Sequence, residues 1–163
     1  FDIGGEVGLV NIDNVSLIVG AGNLLTNGDF ENGSDPWIIG VDDNSPAPVV
    51  TNNGNTYYSV DVLSAGNVYD VNMSQKIEII EGNTYTLTFD AWSDRSRTIV
   101  AGIGLSGPPW TNTGATLDIT TTRTTFTFTY STVGFGASDA RVLFDIGGEV
   151  GLVNIDDVSL SLN

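Results

Sequence analysis

The side chains that could do chemistry in this chain are carboxylates, amides and aromatic rings, because its 163 residues include no Cys and no His. Their absence excludes thiolate nucleophiles, disulfide scaffolds, Ser-His-Asp triads and imidazole-ligated zinc. What remains is carboxylate chemistry, the binding of hard cations through oxygen, and recognition by aromatic and amide groups.

Carboxylate catalysis needs two carboxyl groups at a defined separation, about 5–5.5 Å for hydrolysis of a glycosidic bond with retention. Glu78 and Glu81 flank a turn and are expected to face different ways, which leaves Asp90 and Asp145 as the conceivable pair. The E-x-D-x-x-E strand of jelly-roll glucanases is absent. The sequence therefore predicts a protein that is not an enzyme.

The charge of the chain limits its partners. Five Lys and Arg residues stand against 20 Asp and Glu residues, so the formal net charge is −15. Such a surface repels phosphate groups, which excludes nucleic acids and anionic membranes as partners. For the same reason, dense polyanions such as alginate or pectate are disfavoured.

Three aromatic side chains are candidates for contacting a flat apolar ligand. Trp110 stands in the Pro- and Gly-rich stretch LSGPPWTNTG, where it either meets a ligand or plugs one end of the fold. Trp92 shares a strand face with Asp90, and both cleft lining and edge packing are open for it. Tyr57 and Tyr58 point to opposite faces, and the alternation makes Tyr58 the core residue and Tyr57 the candidate. Aromatic platforms beside polar side chains suit sugar rings, which offer apolar C–H faces and pairs of hydroxyls.

Period-2 alternation places these residues on β-strands. The runs Thr84–Trp92 and Thr124–Ser131 alternate Thr with apolar residues, and Arg141–Ile146 sets Arg141 and Asp145 opposite Val142 and Phe144. Further strands are predicted over Leu24–Phe30, Tyr57–Leu63, Tyr69–Lys76, Thr98–Leu105 and Val153–Leu162. Many short strands separated by Gly-, Asn- and Pro-rich turns predict an all-β sandwich of two antiparallel sheets.

An internal repeat sets the expected domain boundary. Phe1–Leu17 and Phe144–Leu160 differ only at Asn14 and Asp157, and the offset between them is 143 residues. We expect residues 1–22 to be the C-terminal strand of a preceding, nearly identical repeat plus a linker, and residues 23–163 to be one complete module. Residues 1–17 are expected to pack on a neighbouring molecule, by adding to a sheet edge.

Three motifs carry a family resemblance. NLLTNGDFENGSDPW (Asn23–Trp37), EGNTYTLTFDAW (Glu81–Trp92) and NIDDVSL (Asn154–Leu160) resemble the landmarks of family-4 carbohydrate-binding modules, which are grouped with families 9 and 22. The resemblance implies a β-jelly roll whose concave face forms a cleft for a soluble β-glycan chain. It also implies a non-catalytic, secreted module that is covalently linked to a polysaccharide-degrading domain and, here, to a sister module.

The resemblance also assigns residues. It implies that Trp110 stacks on the sugar, that Trp37 packs at the base of the sandwich, and that Gln75 offers an amide to the glycan. Arg141 and Asp145 stand where the family often has paired glutamines. A structural calcium ion, away from the cleft, is implied at Asp29, Glu31, Asp156 and the backbone carbonyl near Gly54.

Two classes of function remain open at this point. The first is a module that binds a neutral β-glycan, with β-1,3- or mixed-linkage glucan first, xylan second and amorphous cellulose third. The second is a structural or adhesive β-sandwich repeat of a surface protein, for which a tandem array would serve equally well. Exposed tryptophans favour the first class, since a spacer has no need of them.

Overall fold

The structure is a computed structural model that describes residues 22–43 and 45–163. Within these residues the chain forms ten strands and one short 3₁₀ turn, Val68–Asp70. The strands are β1 (Ile38–Ile39), β2 (Val49–Asn52), β3 (Asn55–Val62), β4 (Asn72–Ile79), β5 (Thr84–Ser93), β6 (Arg97–Gly104), β7 (Asn112–Ile119), β8 (Thr124–Ser131), β9 (Ala137–Asp145) and β10 (Gly151–Leu162). The expected packing of residues 1–17 lies outside the described residues.

The strands form two five-stranded antiparallel sheets. The front sheet has the order β1-β4-β9-β6-β7, and the back sheet has the order β2-β3-β10-β5-β8. Strands that follow each other in the chain often lie in different sheets, so the chain crosses the sandwich repeatedly. This arrangement confirms the predicted all-β jelly roll.

The core lies between the sheets and follows the predicted alternation. On β5, Tyr85, Leu87 and Phe89 are buried. The ring of Phe89 meets the ring of Phe144 on β9 edge to face, with centroids 4.9 Å apart, which joins the back sheet to the front sheet. Truncating such a buried aromatic ring to Ala costs about 3–5 kcal/mol of stability.

The predicted core position of Trp37 is confirmed. Its side chain is 1% exposed, and its ring centroid lies 5.5 Å from that of Phe30. The indole Nε1 donates a hydrogen bond of 2.9 Å to the carbonyl oxygen of Asn27. Burial of the ring thus leaves its one polar atom satisfied.

The structure lacks one predicted strand and contains strands that the sequence did not predict. Leu24–Phe30 forms bends and turns rather than a strand, because Asn27 and Phe30 adopt left-handed φ angles of 52° and 53°. This segment still follows β10 through isolated bonds, such as Leu24 N to Leu160 O at 2.8 Å. Conversely, β7 was missed because its Gly- and Thr-rich sequence lacks a clear apolar alternation.

No helix within the described residues is long and apolar enough to cross a membrane.

Candidate functional site

A cleft of about 580 Å³ lies on the outer face of the front sheet. Its floor is made by the outward residues of β4 and β9, namely Asn72, Ser74 and Lys76 on β4 and Arg141, Leu143 and Asp145 on β9. Its volume falls within the range of about 300–1,000 Å³ that is usual for small-ligand sites.

The alternation of β9 explains why three of these residues face the cleft. Val142 and Phe144 point into the core and are fully buried, so Arg141, Leu143 and Asp145 must point the other way. Leu143 is only 3% exposed, which makes it the apolar floor between two charged side chains.

Glycines shape the wall formed by β6 and β7. A Cβ atom added at Gly102 would lie 2.4 Å from the carbonyl oxygen of Thr113, and one at Gly104 would lie 2.5 Å from the Cβ of Asn112. The paired strand β7 therefore folds closely over this face of β6. This close approach depends on residues without side chains.

Trp110 stands at the rim of the cleft, in the loop between β6 and β7. Its side chain is 52% exposed, although a backbone bond of 2.8 Å from its N–H to the Gly107 carbonyl fixes the loop. Its φ angle of 60° is left-handed, which is rare and costly for a bulky residue. Backbone strain of this kind is concentrated at functional sites.

Tyr69 is a second exposed aromatic side chain lining the cleft, and sequence reasoning missed it. It is 60% exposed and belongs to the 3₁₀ turn. The turn is held against the end of β9 by a bond of 2.8 Å from Gly147 N to Val68 O. An aromatic residue in a short polar loop was the available signal, the same one that singled out Trp110.

Several polar atoms of the cleft lack partners. Asn72 Oδ1, Ser106 Oγ and Arg141 Nε are buried and have no hydrogen-bond partner. Leaving such an atom unsatisfied costs about 1–3 kcal/mol. These atoms belong to residues that line the cleft, and they lie beneath its accessible surface.

The charged side chains of the floor are held apart. The Arg141 guanidinium lies 5.5 Å from the centroid of the Trp110 ring, a cation–π distance. Burial raises the pKa of the Asp145 carboxyl, and Arg141 opposes this rise only in part. Among the described residues, therefore, the floor offers both a cation and a carboxyl group to a ligand.

Gln75 does not face the cleft, contrary to the prediction. It is 3% exposed, and its Oε1 accepts from Thr26 N at 2.8 Å while its Nε2 donates to Thr26 O at 2.9 Å. The reason is its phase on β4, since the register with β9 stays regular through Gln75 and shifts only between Ile77 and Ile79. The amide thus fixes the N-terminal segment instead of a ligand.

Tyr57, Trp92 and Asp90 also lie away from the cleft. They belong to β3 and β5 of the back sheet, on its outer face, so they cannot contact a ligand that lies on the front sheet. The rings of Tyr57 and Trp92 are 4.8 Å apart, and the Arg123 guanidinium lies 5.0 Å from the Trp92 centroid. The structure therefore does not place these residues in one cleft with Trp110, and Trp92 packs between neighbours.

The same guanidinium joins β5 to the middle of β10, within the back sheet. Arg123 Nε donates to Asp90 Oδ2 at 2.6 Å, and its Nη2 lies 2.9 Å from Asp156 Oδ2 and 2.6 Å from Asp157 Oδ2. Arg123 and Thr125 lower the pKa of Asp90 against the opposing effect of burial. Asp157 adopts a φ of 50° where the pairing of β10 with β5 shifts register.

The residues expected to hold calcium meet around this bulge in part. Glu31 Oε1 accepts from Thr56 N at 2.8 Å, and Asp156 Oδ2 accepts from Asn55 Nδ2 at 2.9 Å. Both carboxylates therefore reach the segment that follows Gly54, whose carbonyl is a further oxygen donor. Carboxylate and carbonyl oxygens are donors of the kind that calcium takes, although Asp156 Oδ2 also lies 2.9 Å from the Arg123 guanidinium.

Asp29 lies beside Asp157 and Val158 in a neighbouring hollow. No group of three or more carboxylates in the described part of the chain is placed to hold one ion. Backbone carbonyls would thus have to supply several ligands. Burial is the largest influence on the Asp156 carboxyl and raises its pKa.

Comparison with known proteins agrees with this geometry. The family described as carbohydrate binding domain, covering families 4 and 9, matches residues 22–149. A cellulose 1,4-β-cellobiosidase of Acetivibrio thermocellus is 32% identical over 123 residues, which cover 66% of this chain and 13% of that enzyme. The chain thus spans only a small part of this relative.

Two solved structures are similar over nearly their whole length. A CBM4 structure is 28% identical, covers 85% of this chain and 99% of its own, and has a TM-score of 0.68. The second N-terminal cellulose-binding domain of Cellulomonas fimi β-1,4-glucanase C is 21% identical, covers 91% and 99%, and has a TM-score of 0.66, which shows the shared fold. The chain therefore belongs to the carbohydrate-binding domains of families 4 and 9, which are non-catalytic.

Proposed function

We propose that this module binds a soluble, neutral β-glycan chain in the cleft of the front sheet and belongs to a secreted polysaccharide-degrading enzyme. The observation that carries the proposal is the pair of exposed aromatic side chains, Trp110 and Tyr69, beside one cleft. The same cleft is lined by the polar residues Asn72, Ser106 and Arg141. A spacer repeat would gain nothing from such an arrangement.

The physical basis is the two-sided character of a sugar ring. Its C–H face stacks on an aromatic ring, and its hydroxyl groups exchange hydrogen bonds with amide, carboxyl and guanidinium groups. A well-packed aromatic contact contributes on the order of 1–3 kcal/mol to binding. Asn72, Ser106, Arg141 and Asp145 supply the polar contacts on this floor.

A β-1,3- or mixed-linkage glucan remains the first choice of ligand. The cellobiosidase relative and the cellulose-binding domain with the same fold give support to a β-1,4-glucan as the main alternative, and xylan follows. All these chains are neutral, which suits a protein of net charge −15.

Affinity electrophoresis tests the proposal. The protein is run through native gels that contain laminarin, mixed-linkage glucan, xylan or hydroxyethylcellulose. We expect at least one glycan to retard the wild type, and Trp110→Ala to weaken that binding about tenfold or more.

Trp92→Ala is the matched control, because it removes a tryptophan from the back sheet. We expect it to keep the wild-type retardation. If no glycan retards the wild type, the structural-repeat alternative gains support. If Trp92→Ala loses binding and Trp110→Ala does not, the ligand site is on the other sheet.

The implied calcium ion is proposed as a structural element near the bulge of β10. Glu31, Asp156 and the Gly54 carbonyl would hold it, and its charge would offset part of the acidic cluster there. The ion takes no part in glycan recognition, since these residues lie on the back-sheet side, away from the cleft.

A further inference from the structure

The five cations of this acidic chain all lie among the described residues, and four of them have partners. Lys76 Nζ lies 3.6 Å from Asp43 Oδ2, and Arg95 Nη2 lies 2.6 Å from Asp94 Oδ2. Arg123 is bound by three carboxylates. Arg97 is buried and donates to the backbone carbonyls of Gly151 and Ile146 at 2.9 and 2.5 Å.

Arg141 is the exception. Among the described residues it forms no ion pair with a carboxylate, and its buried Nε has no hydrogen-bond partner. Pairing of β9 with β4 and β6 fixes its backbone opposite Lys76 and Gly104, and its guanidinium is positioned over Trp110. The side chain is therefore preorganised in the cleft, with no carboxylate from the described part of the chain in direct contact.

The other charges of the cleft do not neutralise Arg141. Asp43 is already engaged with Lys76. Asp145 is attracted to Arg141 through charge, but no contact between the two reaches ion-pair distance, and burial raises the pKa of the Asp145 carboxyl more than Arg141 lowers it. A guanidinium with no carboxylate in direct contact is a ready partner for one, which it can bind through two parallel hydrogen bonds.

We propose that Arg141 receives the carboxylate of a uronic acid unit, so that among β-glycan chains that are otherwise neutral the cleft prefers those carrying sparse uronic acid residues or branches. This inference rests on the proposed function, because it assumes that the glycan lies in the front-sheet cleft. It is compatible with the net charge of −15. That charge repels a dense polyanion, whereas one carboxylate in contact with Arg141 lies well within the Debye length of about 8 Å.

The test uses two oligosaccharide samples that differ in one group. A β-glucan oligosaccharide is oxidised at C6 in a small fraction of its glucose units, and part of the sample is then reduced back to the hydroxymethyl form. Titration calorimetry measures the affinity of the module for both forms. We expect the wild type to bind the uronate form about tenfold more tightly at low salt, and this preference to shrink as salt rises from about 20 to about 500 mM.

Arg141→Gln should abolish the preference, so that both forms bind with equal affinity. Arg141→Lys should keep part of it, because an ammonium group retains the charge but not the two-pronged geometry. Arg95→Gln is the matched control, since it removes one positive charge outside the cleft, and it should keep the full preference.

Each outcome has a distinct meaning. Equal binding of both forms by the wild type overturns the inference and leaves the proposed function standing. A preference that survives Arg141→Gln also overturns it, because the carboxylate is then read elsewhere. If the wild type binds neither of these forms and no glycan of the electrophoresis panel, the proposed function itself is overturned, and the inference with it.

Discussion

Gln75 and Thr26 form a closed pair of hydrogen bonds, in which the side-chain amide of Gln75 both accepts from and donates to the backbone of Thr26. The amide imitates a neighbouring strand at a place where the N-terminal segment has no regular ladder. A residue of the type expected to bind glycan therefore holds two parts of the fold together.

Replacing Gln75 should affect stability and leave binding alone. Gln75→Ala removes both partners of Thr26, and each unsatisfied backbone group costs about 1–3 kcal/mol. We expect a loss of about 2–4 kcal/mol in the free energy of unfolding, measured by urea denaturation. Gln75→Glu should destabilise the fold at least as much as Gln75→Ala, because it buries a carboxylate and sets one of its oxygens against the Thr26 carbonyl. Weakened glycan binding by the folded Gln75→Ala variant would return this residue to the ligand site.

Trp110 gives a prediction about strain. Its φ of 60° disfavours any residue with a Cβ atom, whereas Gly adopts this conformation freely. Both Trp110→Gly and Trp110→Ala should lose glycan binding, yet the Gly variant should melt at the higher temperature. Calorimetric scans of the two variants measure this order. Equal melting temperatures, or a higher one for Ala, would show that the loop relaxes without cost.

Asp145 predicts a pH-dependent stability. Folding raises its pKa above the ordinary value of 3.8, so the folded state holds the proton more tightly, and stability falls as pH rises through the window above 3.8. The destabilisation that comes from burying the ionised Asp145 carboxylate is present at pH 7. Asp145→Asn should therefore raise the melting temperature at pH 7, and the gain should vanish as the pH falls below the ordinary value.

For Glu149 we expect the opposite dependence of stability on pH. Hydrogen bonds from Thr98 hold the pKa of its carboxyl below the ordinary value of 4.5. Its contribution to stability is thus present above that value and is lost as pH falls through the lowered pKa. Glu149→Gln should lower the melting temperature at pH 7, with a deficit that disappears in acid. Parallel melting curves of both variants across pH check the two signs together.

Calcium removal should lower the melting temperature by several degrees without changing glycan affinity. An ion that binds only the folded state stabilises it in proportion to the logarithm of its concentration over Kd. Asp156→Asn should remove the calcium-dependent shift, while Asp139→Asn, on β9, should keep it. Identical melting curves of the wild type in calcium and in chelator would eliminate the metal site.

How far the sequence predicts the site is clear from β9 and β5. Alternation alone put Arg141 and Asp145 on one face and Val142 and Phe144 on the other, as the structure has them. The same reasoning gave Trp92 an outward position but could not say on which sheet, because that depends on the long-range pairing of β5 with β10 and β8. A strand pattern defines two faces and leaves the choice of sheet to topology.

The loops illustrate a second limit. Trp110 was found because its loop is rich in Pro and Gly, whereas Tyr69 was assigned to a strand and lies in the 3₁₀ turn. Its position in the cleft depends on bonds from Gly147 to Val68 and from Ile146 to Val71, which join distant parts of the chain. No local pattern contains that information.

The glycines of β6 and the aromatic residues at the rim of the cleft differ in how freely they can be substituted. Because Gly102 and Gly104 have no room for a side chain, the close pairing of β6 with β7 beside the cleft depends on them. Trp110 and Tyr69, by contrast, stand on a loop and a turn that contribute little to the core. Copies of such a module can therefore diverge in the sugars they recognise by exchanging rim residues, while selection for folding keeps the glycines unchanged.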